Sequence, residues 1–283
     1  MISHECVGQS IAPIVRAYGP DEVRAYARAI AGAVFEQPPL CVEDLPGLVT
    51  VLRHPALEAA LAVVGASGAP VHVEEEVALH GPLAETGEII LRATISALYD
   101  LIVHAMVEVR TTVQSSAGVL IAVMTTRALI PNAGDFDGAS PPRAVRPAPK
   151  GPPVFTLRAS TTDNQAQLFG ACGDNNRLHL DHDVATAAGY PRPPLQGLCT
   201  AGIILRVVMQ ALQRWTGLPM TDFFLRFVQP VFPGEELEIE GYLTGESDRL
   251  LVHAAAADRG RRVLIADIGF SKPLSGAAST VAR

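Results

Sequence analysis

Within six residues the chain places Asp174, Asn176 and His179, in the stretch Cys172-Gly-Asp-Asn-Asn-Arg-Leu-His179. A carboxyl group and an imidazole five positions apart in a turn can face one small cavity. Such a pair suits a single water molecule, one group taking its proton and the other giving one back. A second stretch follows, Pro193-Pro-Leu-Gln-Gly-Leu-Cys-Thr-Ala-Gly202. Its rigid Pro-Pro entry runs into Gly197 and then into an apolar helical pattern. Gly197 is therefore expected at a helix N-terminus, with a free backbone N–H that stabilises a developing oxyanion. The plain alternative for Asp174 and His179 is a capped turn with a surface histidine; the nearby Gly197 weighs against it. A metal site from Asp174, His179, Asp181 and His182 is the weaker reading, because adjacent ligands rarely converge and no second cluster completes the set. No metal is expected.

These residues need elements to hold them. Residues 20–34 read as a helix opened by Pro20 and Asp21, with acidic residues matching the dipole of its first turn. Pro38, Pro39, Pro46 and Pro55 break the next stretch into turns and one helix near 55–64. Four β-branched segments follow near 71–79, 87–98, 103–113 and 118–129, separated by turn signals. Residues 131–153 form a Pro- and Gly-dense linker. Beyond it the order recurs: a strand at 154–160, a helix at about 163–171, the Asp/His turn, and a short helix capped by Asp181 and ending at Gly189. A long helix begins near Gly197, with apolar Leu198, Ala201, Leu205, Val208, Met209 and Leu212 on one face. Strands are expected at 221–231, 236–246, 249–257 and 262–271. Helices followed by antiparallel strands, twice, mark an α+β chain of two similar units, 1–130 and 154–283.

Composition narrows the function classes. With 283 residues, 48% hydrophobic and 18% charged, the chain can bury a substantial core. A net charge of −7 argues against nucleic acid as a partner. The N-terminal residues lack a secretory pattern, and no apolar run approaches the roughly 20 residues of a membrane span, so a cytoplasmic location off the membrane is expected. Cys6, Cys41, Cys172 and Cys199 are widely spaced, as suits reduced thiols. His72, His80 and His104 fall on or beside strands and are expected to be satisfied or exposed residues. Glu74-Glu75-Glu76 is expected to present a solvated strand face.

The blocks Cys172-Gly-Asp174-Asn-Asn176-Arg-Leu-His179, Asp181-His182, Gln196-Gly197-Leu-Cys-Thr200 and Arg226-Phe-Val-Gln-Pro-Val-Phe-Pro-Gly234 resemble the signature of the MaoC-like, R-specific enoyl-CoA hydratase family. More weakly, Val71-His-Val-Glu-Glu-Glu-Val77 and Asn132-Ala-Gly-Asp-Phe-Asp-Gly138 are similar to segments in the degenerate first half of its two-hotdog members. The resemblance implies a double hotdog, each unit a helix wrapped by an antiparallel sheet. It implies an N-terminal half that accommodates the acyl group and a C-terminal half that catalyses.

It further implies reversible addition of water to a trans-2-enoyl thioester. His179 and Asp174 would be the base and acid, their roles exchanging with direction, and the Gly197 N–H would hold the thioester oxygen. Asn176 would fix the turn. Cys172 and Cys199 occupy small-residue positions, which favours packing over a nucleophile. Three departures stand out. Arg177 replaces a proline and could meet a phosphate of the substrate; Gln196 replaces a histidine and alters the pocket wall; Tyr99-Asp-Leu-Ile102 lacks the lysine of its counterpart turn. They point to an unusual acyl group, such as a biosynthetic intermediate. The implied partner is an acyl-CoA or an acyl carrier protein, with no cofactor beyond the coenzyme A or phosphopantetheine of the substrate, and a homodimer is expected. The rivals are a non-hydrating acyl-thioester-binding subunit and a site turned to thioester hydrolysis, isomerisation or cyclisation, since one scaffold hosts many chemistries.

Overall fold

The computed structural model describes residues 2, 4–32, 42, 45–66, 70–142, 147–213 and 218–274. The turns expected at Pro38 and Pro39, Cys41, the end of the first expected helix and linker residues 143–146 lie outside the described residues. The chain divides into two compact units that are not consecutive. One comprises Met1–Gly19 and Leu52–Val145, the other Pro20–Val51 and Arg146–Arg283.

In the first unit, β1 (Ile14–Tyr18) was not expected from the sequence; five residues carry too short a pattern. The helical segments are α1 (Pro20–Ala29), in the second unit, α2 (Leu48–Leu52), at the boundary, and α3 (His54–Val64). Strands β2 (Val71–Leu79), β3 (Gly87–Asp100), β4 (Ala105–Ser115) and β5 (Leu120–Ile130) follow close to their expected places. The first unit's strands run β1-β3-β4-β5-β2, each pair antiparallel. On β4, Ala105, Val107, Val109, Thr111 and Val113 are all buried, the period of two that a half-covered sheet requires. Pro55 lies in the first turn of α3, and Gly65 closes it in the left-handed conformation. The buried face of α3 is Ala56, Leu57, Ala60 and Val64.

The acidic run on β2 departs from expectation. Glu76 is exposed, but Glu75 is fully buried. A strand sends alternate side chains to opposite faces, and the core side offers Arg53, the residue preceding α3. The Arg53 guanidinium lies 2.6 Å from the Glu75 carboxylate, which also accepts from Thr126 Oγ1 at 2.8 Å and meets His72 Nε2 at 2.9 Å. Glu74 pairs with Arg127 at 2.8 Å. His104 Nδ1 accepts the Asn132 amide at 3.1 Å, and His80 is exposed.

At the end of β3, Asp100 organises the glycine-containing loop near 132–138. Its carboxylate accepts the amides of Ile102 at 2.7 Å, Phe136 at 2.8 Å and Asp135 at 3.1 Å. Ile102 has φ of 71°, an uncommon conformation for a β-branched residue, and Asp100 holds it there.

The second unit contains β6 (Phe155–Ser160), α4 (Gln165–Gly170), α5 (His182–Ala187), α6 (Gly197–Gln213), β7 (Met220–Phe227), β8 (Glu236–Leu243), β9 (Arg249–Ala256) and β10 (Arg261–Phe270). Its strands run β7-β10-β9-β8-β6, again antiparallel in every pair. The α6 residues Leu198, Ala201, Leu205, Val208, Met209 and Leu212 are all buried, so this helix is the unit's core.

Helix α1 belongs to this unit and is shorter than expected. Gly32, at φ of 69°, passes so near the Ser160 carbonyl that a Cβ would lie 2.5 Å from it. The carbonyls left open at the helix end find side-chain donors: Gln165 Nε2 to Ala29, Arg206 Nε to Ile30 at 3.0 Å, and Arg206 Nη2 to Ala31 at 2.8 Å. Each unit thus places a helix against an antiparallel sheet, and the chain is a double hotdog of the α+β class. Among the described residues no helix is long and apolar enough to cross a membrane.

Candidate active site

The acid arrives on a short, continuous scaffold. Helix α4 is extended by hydrogen-bonded turns, Ala171 N to Gln167 O, Cys172 N to Phe169 O and Gly173 N to Gly170 O. Gly173 then takes φ of 118°, a region open to glycine, and the chain turns out at Asp174. The Asn176 amide donates to Asp174 Oδ1 at 3.3 Å, while Asn176 Oδ1 accepts from Leu178 N at 3.0 Å. Asn176 therefore shapes the turn and starts the one-turn 3-10 helix Arg177–His179 that delivers the imidazole.

The environment of His179 selects one tautomer. Its Nδ1 lies 3.0 Å from the Pro194 carbonyl. A carbonyl can only accept, so Nδ1 carries the hydrogen and Nε2 keeps its lone pair in the neutral ring. Burial pushes the His179 pKa down, and this outweighs the opposing pull of Asp174 and of the Pro194 carbonyl. The ring is thus neutral at neutral pH, with a basic nitrogen and a carboxyl group close by.

Helix α6 begins at Gly197, so its first amides have no acceptor within the helix. The absence of a side chain there has a steric cause: a Cβ on Gly197 would lie 3.1 Å from the Phe227 ring of β7. Gln196 is 1% exposed and donates from Nε2 to the Ala166 carbonyl on α4 at 3.1 Å; its Oε1 is buried and has no hydrogen-bond partner among the described residues.

The sequence blocks are also joined physically. Leu195 N donates to Val231 O at 2.7 Å, and Arg192 Nη1 donates to Pro233 O at 2.8 Å. Arg226, half-buried on β7, places its guanidinium 5.8 Å from the centre of the Phe224 ring. Its block reaches Gly197 through the adjacent Phe227. Phe227 and Pro194 fall within the sequence blocks, but the ring's approach to Gly197 and the carbonyl's hold on His179 are not legible from the motif. A phenylalanine on a strand looks like core, and a backbone carbonyl leaves no side-chain signature.

The structure places Asp174, Asn176 and His179 in one turn, with Gln196 and Gly197 on the segment that anchors the histidine. Arg177 stands apart: its side chain is 74% exposed and pairs with Asp181. Asp181 also accepts the amides of Asp183 and Val184 as the N-cap of α5. Cys199 is fully buried, and burial raises its pKa well above the ordinary thiol range; such a thiol is a packing residue, not a nucleophile.

The chain is similar to known proteins in sequence and in fold. Residues 144–258 match the family described as MaoC like domain. The enoyl-CoA hydratase ChsH3 of Mycobacterium tuberculosis is 28% identical over 198 residues, covering 70% of this chain and 68% of that protein. The peroxisomal enoyl-CoA hydratase 2 of Arabidopsis thaliana is 27% identical over 205 residues, covering 69% of this chain and 66% of that protein. The chain thus spans about two thirds of the length of these curated relatives. A MaoC-like dehydratase structure from Phytophthora capsici has a TM-score of 0.79 at 19% identity, covering 98% of this chain and 100% of its own. Residues 144–258 thus carry a MaoC-like domain, and the chain shares the fold of that dehydratase structure.

Proposed function

We propose that the protein is a lyase that adds water to, or removes it from, an acyl thioester, interconverting a trans-2-enoyl and an (R)-3-hydroxyacyl group carried on coenzyme A or an acyl carrier protein. The observation that carries this reading is the His179 ring. Its Nδ1 hydrogen is committed to Pro194, its burial keeps it neutral, and Nε2 is left as a base beside Asp174.

In the hydration direction, Nε2 takes a proton from water as the oxygen bonds to C3. The electron pair of the C2–C3 double bond moves toward the thioester carbonyl, whose growing negative charge the Gly197 N–H receives. Asp174 gives a proton to C2. One proton passing from imidazolium to carboxylate then resets the pair. Dehydration runs the same steps backward. These groups supply every proton and charge contact the addition needs, so the reading includes no cofactor beyond the substrate's own carrier.

The names of the relatives support the same chemistry, since both quoted above are enoyl-CoA hydratases. A cytoplasmic location belongs to this proposal, supported by the free thiols of Cys6, Cys172 and Cys199. So does a homodimer, which light scattering on the purified protein would test. The activity test is ultraviolet absorbance of a conjugated enoyl thioester, with chains of several lengths. Loss of absorbance with an (R)-3-hydroxy product and no free thiol supports hydration. Release of thiol would replace it with thioester hydrolysis, and binding without turnover would replace it with a carrier role.

A further inference from the structure

Gln196 immediately precedes α6, and its surroundings show what the position does. Its side chain crosses from the start of α6 to α4, where Nε2 donates to the Ala166 carbonyl at 3.1 Å. From Ala166 to Gly173, the residue before Asp174, the backbone is hydrogen-bonded through α4 and then through Ala171, Cys172 and Gly173. Moving α4 therefore moves the acid. On the other side, the segment containing Gln196 carries the Pro194 carbonyl that holds His179 and the amide of Gly197. The Gln196 side chain thus ties the scaffold of Asp174 to the segment that holds His179 and carries the Gly197 amide.

The second observation concerns the other half of the amide group. Gln196 Oε1 is enclosed and accepts no hydrogen bond from the described residues. A buried acceptor left unsatisfied costs free energy that its companion donor only partly offsets. What the position uses is the donor, at a fixed reach.

We infer that Gln196 is a positioning residue for the hydration chemistry, its Nε2–H donor to Ala166 setting the Asp174 turn against His179 and Gly197. The inference rests on the hydratase reading above. It also separates the donor from size and from charge. Gln196→Leu keeps the bulk and loses both polar groups. Gln196→Glu keeps the shape, but its carboxylate offers only acceptors to a carbonyl. Gln196→His restores an N–H.

The test compares the three variants with the parent protein for kcat, KM and thermal midpoint on an enoyl thioester. A misplacement of about 1 Å between reacting groups can cost on the order of a hundredfold. Gln196→Leu is therefore expected to lower kcat by roughly ten- to a hundredfold, with KM little changed. Its melting temperature should stay close to the parent's, because the lost donor is offset by removal of the stranded oxygen. Gln196→Glu should lose at least as much kcat, and Gln196→His should recover most of it. Full activity in Gln196→Leu overturns the inference. So does a rise in KM alone, or a loss in all variants that follows a collapse of the melting temperature.

A readout without turnover keeps this apart from the hydratase reading. Asp174 raises the proton affinity of His179, so a displaced Asp174 lets the imidazole pKa fall further. NMR titration of His179 should show that fall in Gln196→Leu and its reversal in Gln196→His, whatever reaction the site performs. An unchanged His179 titration in Gln196→Leu overturns the positioning role. A parent protein inert toward every enoyl thioester, with the titration behaving as expected, would instead sink the hydratase reading and leave the positioning geometry intact.

Discussion

The imidazole of His179 and the carbonyl of Pro194, 3.0 Å apart, are held together by a single hydrogen bond. Pro194 lies three residues before Gly197, the first residue of α6, so the short segment that holds the His179 ring also carries the Gly197 amide. The geometry makes the protonation state of His179 the switch for activity. Its pKa lies below the ordinary 6.5, because burial outweighs the pull of Asp174. Hydration rate should therefore hold steady down to about pH 6.5 and fall only below it, as Nε2 acquires a proton. Loss of a general acid or base costs roughly 10²–10⁴ in rate, which is the expected effect of His179→Ala and of Asp174→Asn. A rate that rises with acid would remove His179 as the base in the hydration direction.

The same shift bears on stability. Between the folded pKa and 6.5 the unfolded chain binds the His179 proton and the folded chain does not. Stability therefore falls as pH drops through that window. In His179→Gln this contribution should vanish, which urea unfolding at pH 7 and at pH 5 would detect as a flatter dependence.

Gly197→Ala sets a methyl group 3.1 Å from the Phe227 ring. Either the ring gives way or the start of α6 shifts. Overpacking of this kind costs about 1–3 kcal/mol, and the shift is expected to lower kcat because the amide moves with the helix. Phe227→Leu should relieve the clash, so the double variant is expected to recover both melting temperature and turnover relative to Gly197→Ala. A double variant no better than the single one would show that the ring is not the obstacle.

Arg53 and Glu75 form a fully buried ion pair. Removing one member leaves the other charge without its counterion in the core, at a typical cost of 3–5 kcal/mol, roughly. Arg53→Met should therefore be strongly destabilising in denaturant unfolding. Replacing both residues, as Arg53→Met with Glu75→Leu, is expected to restore most of the loss, since a well-packed apolar pair avoids the desolvation of both charges.

Asp100 governs the loop that follows β5. Desolvation pushes its pKa up, but the amides of Phe136, Ile102, Asp135 and Gly138 outweigh it, and the net shift is downward. The contribution is complete above the ordinary value of 3.8 and is lost as pH falls through the lower folded value. Asp100→Ala should raise amide hydrogen exchange across residues 132–138 at neutral pH. Exchange equal to the parent's would mean that the loop is held by other contacts.

Much of this was legible in the chain because it depends on local pattern. The alternation on β4, the cap at Asp181 and the apolar face of α6 each follow from residues within a few positions of one another. The spacing of Asp174 and His179 is equally local, and so is Gly197 after its two prolines. What escaped the reading involves partners far apart in sequence. Glu75 looked like part of a solvated acidic run because Arg53 stands 22 residues earlier. The donor role of Gln196 depends on a carbonyl 30 residues away. The early end of α1 is set by the Ser160 carbonyl and by donors from α4 and α6, and none of these is visible from residues 20–34. Phe227 and Pro194 act through a ring face and a backbone oxygen, which composition does not distinguish from ordinary core and turn.

Helix α1 precedes the first unit's helix and long strands in the chain, yet its carbonyls are received by Gln165 and Arg206 of the second. During synthesis it leaves the ribosome well before the residues that receive it. At about 5–20 residues per second the wait is on the order of ten seconds. For that interval most of the first unit, Leu52–Val145, is made between the helix and its berth, so completion of the second unit depends on a long-range return of chain already translated. The two halves are therefore not independent cassettes. A cut at the linker would give one fragment carrying every residue of the water-handling motif and another carrying the helix on which that motif's scaffold rests.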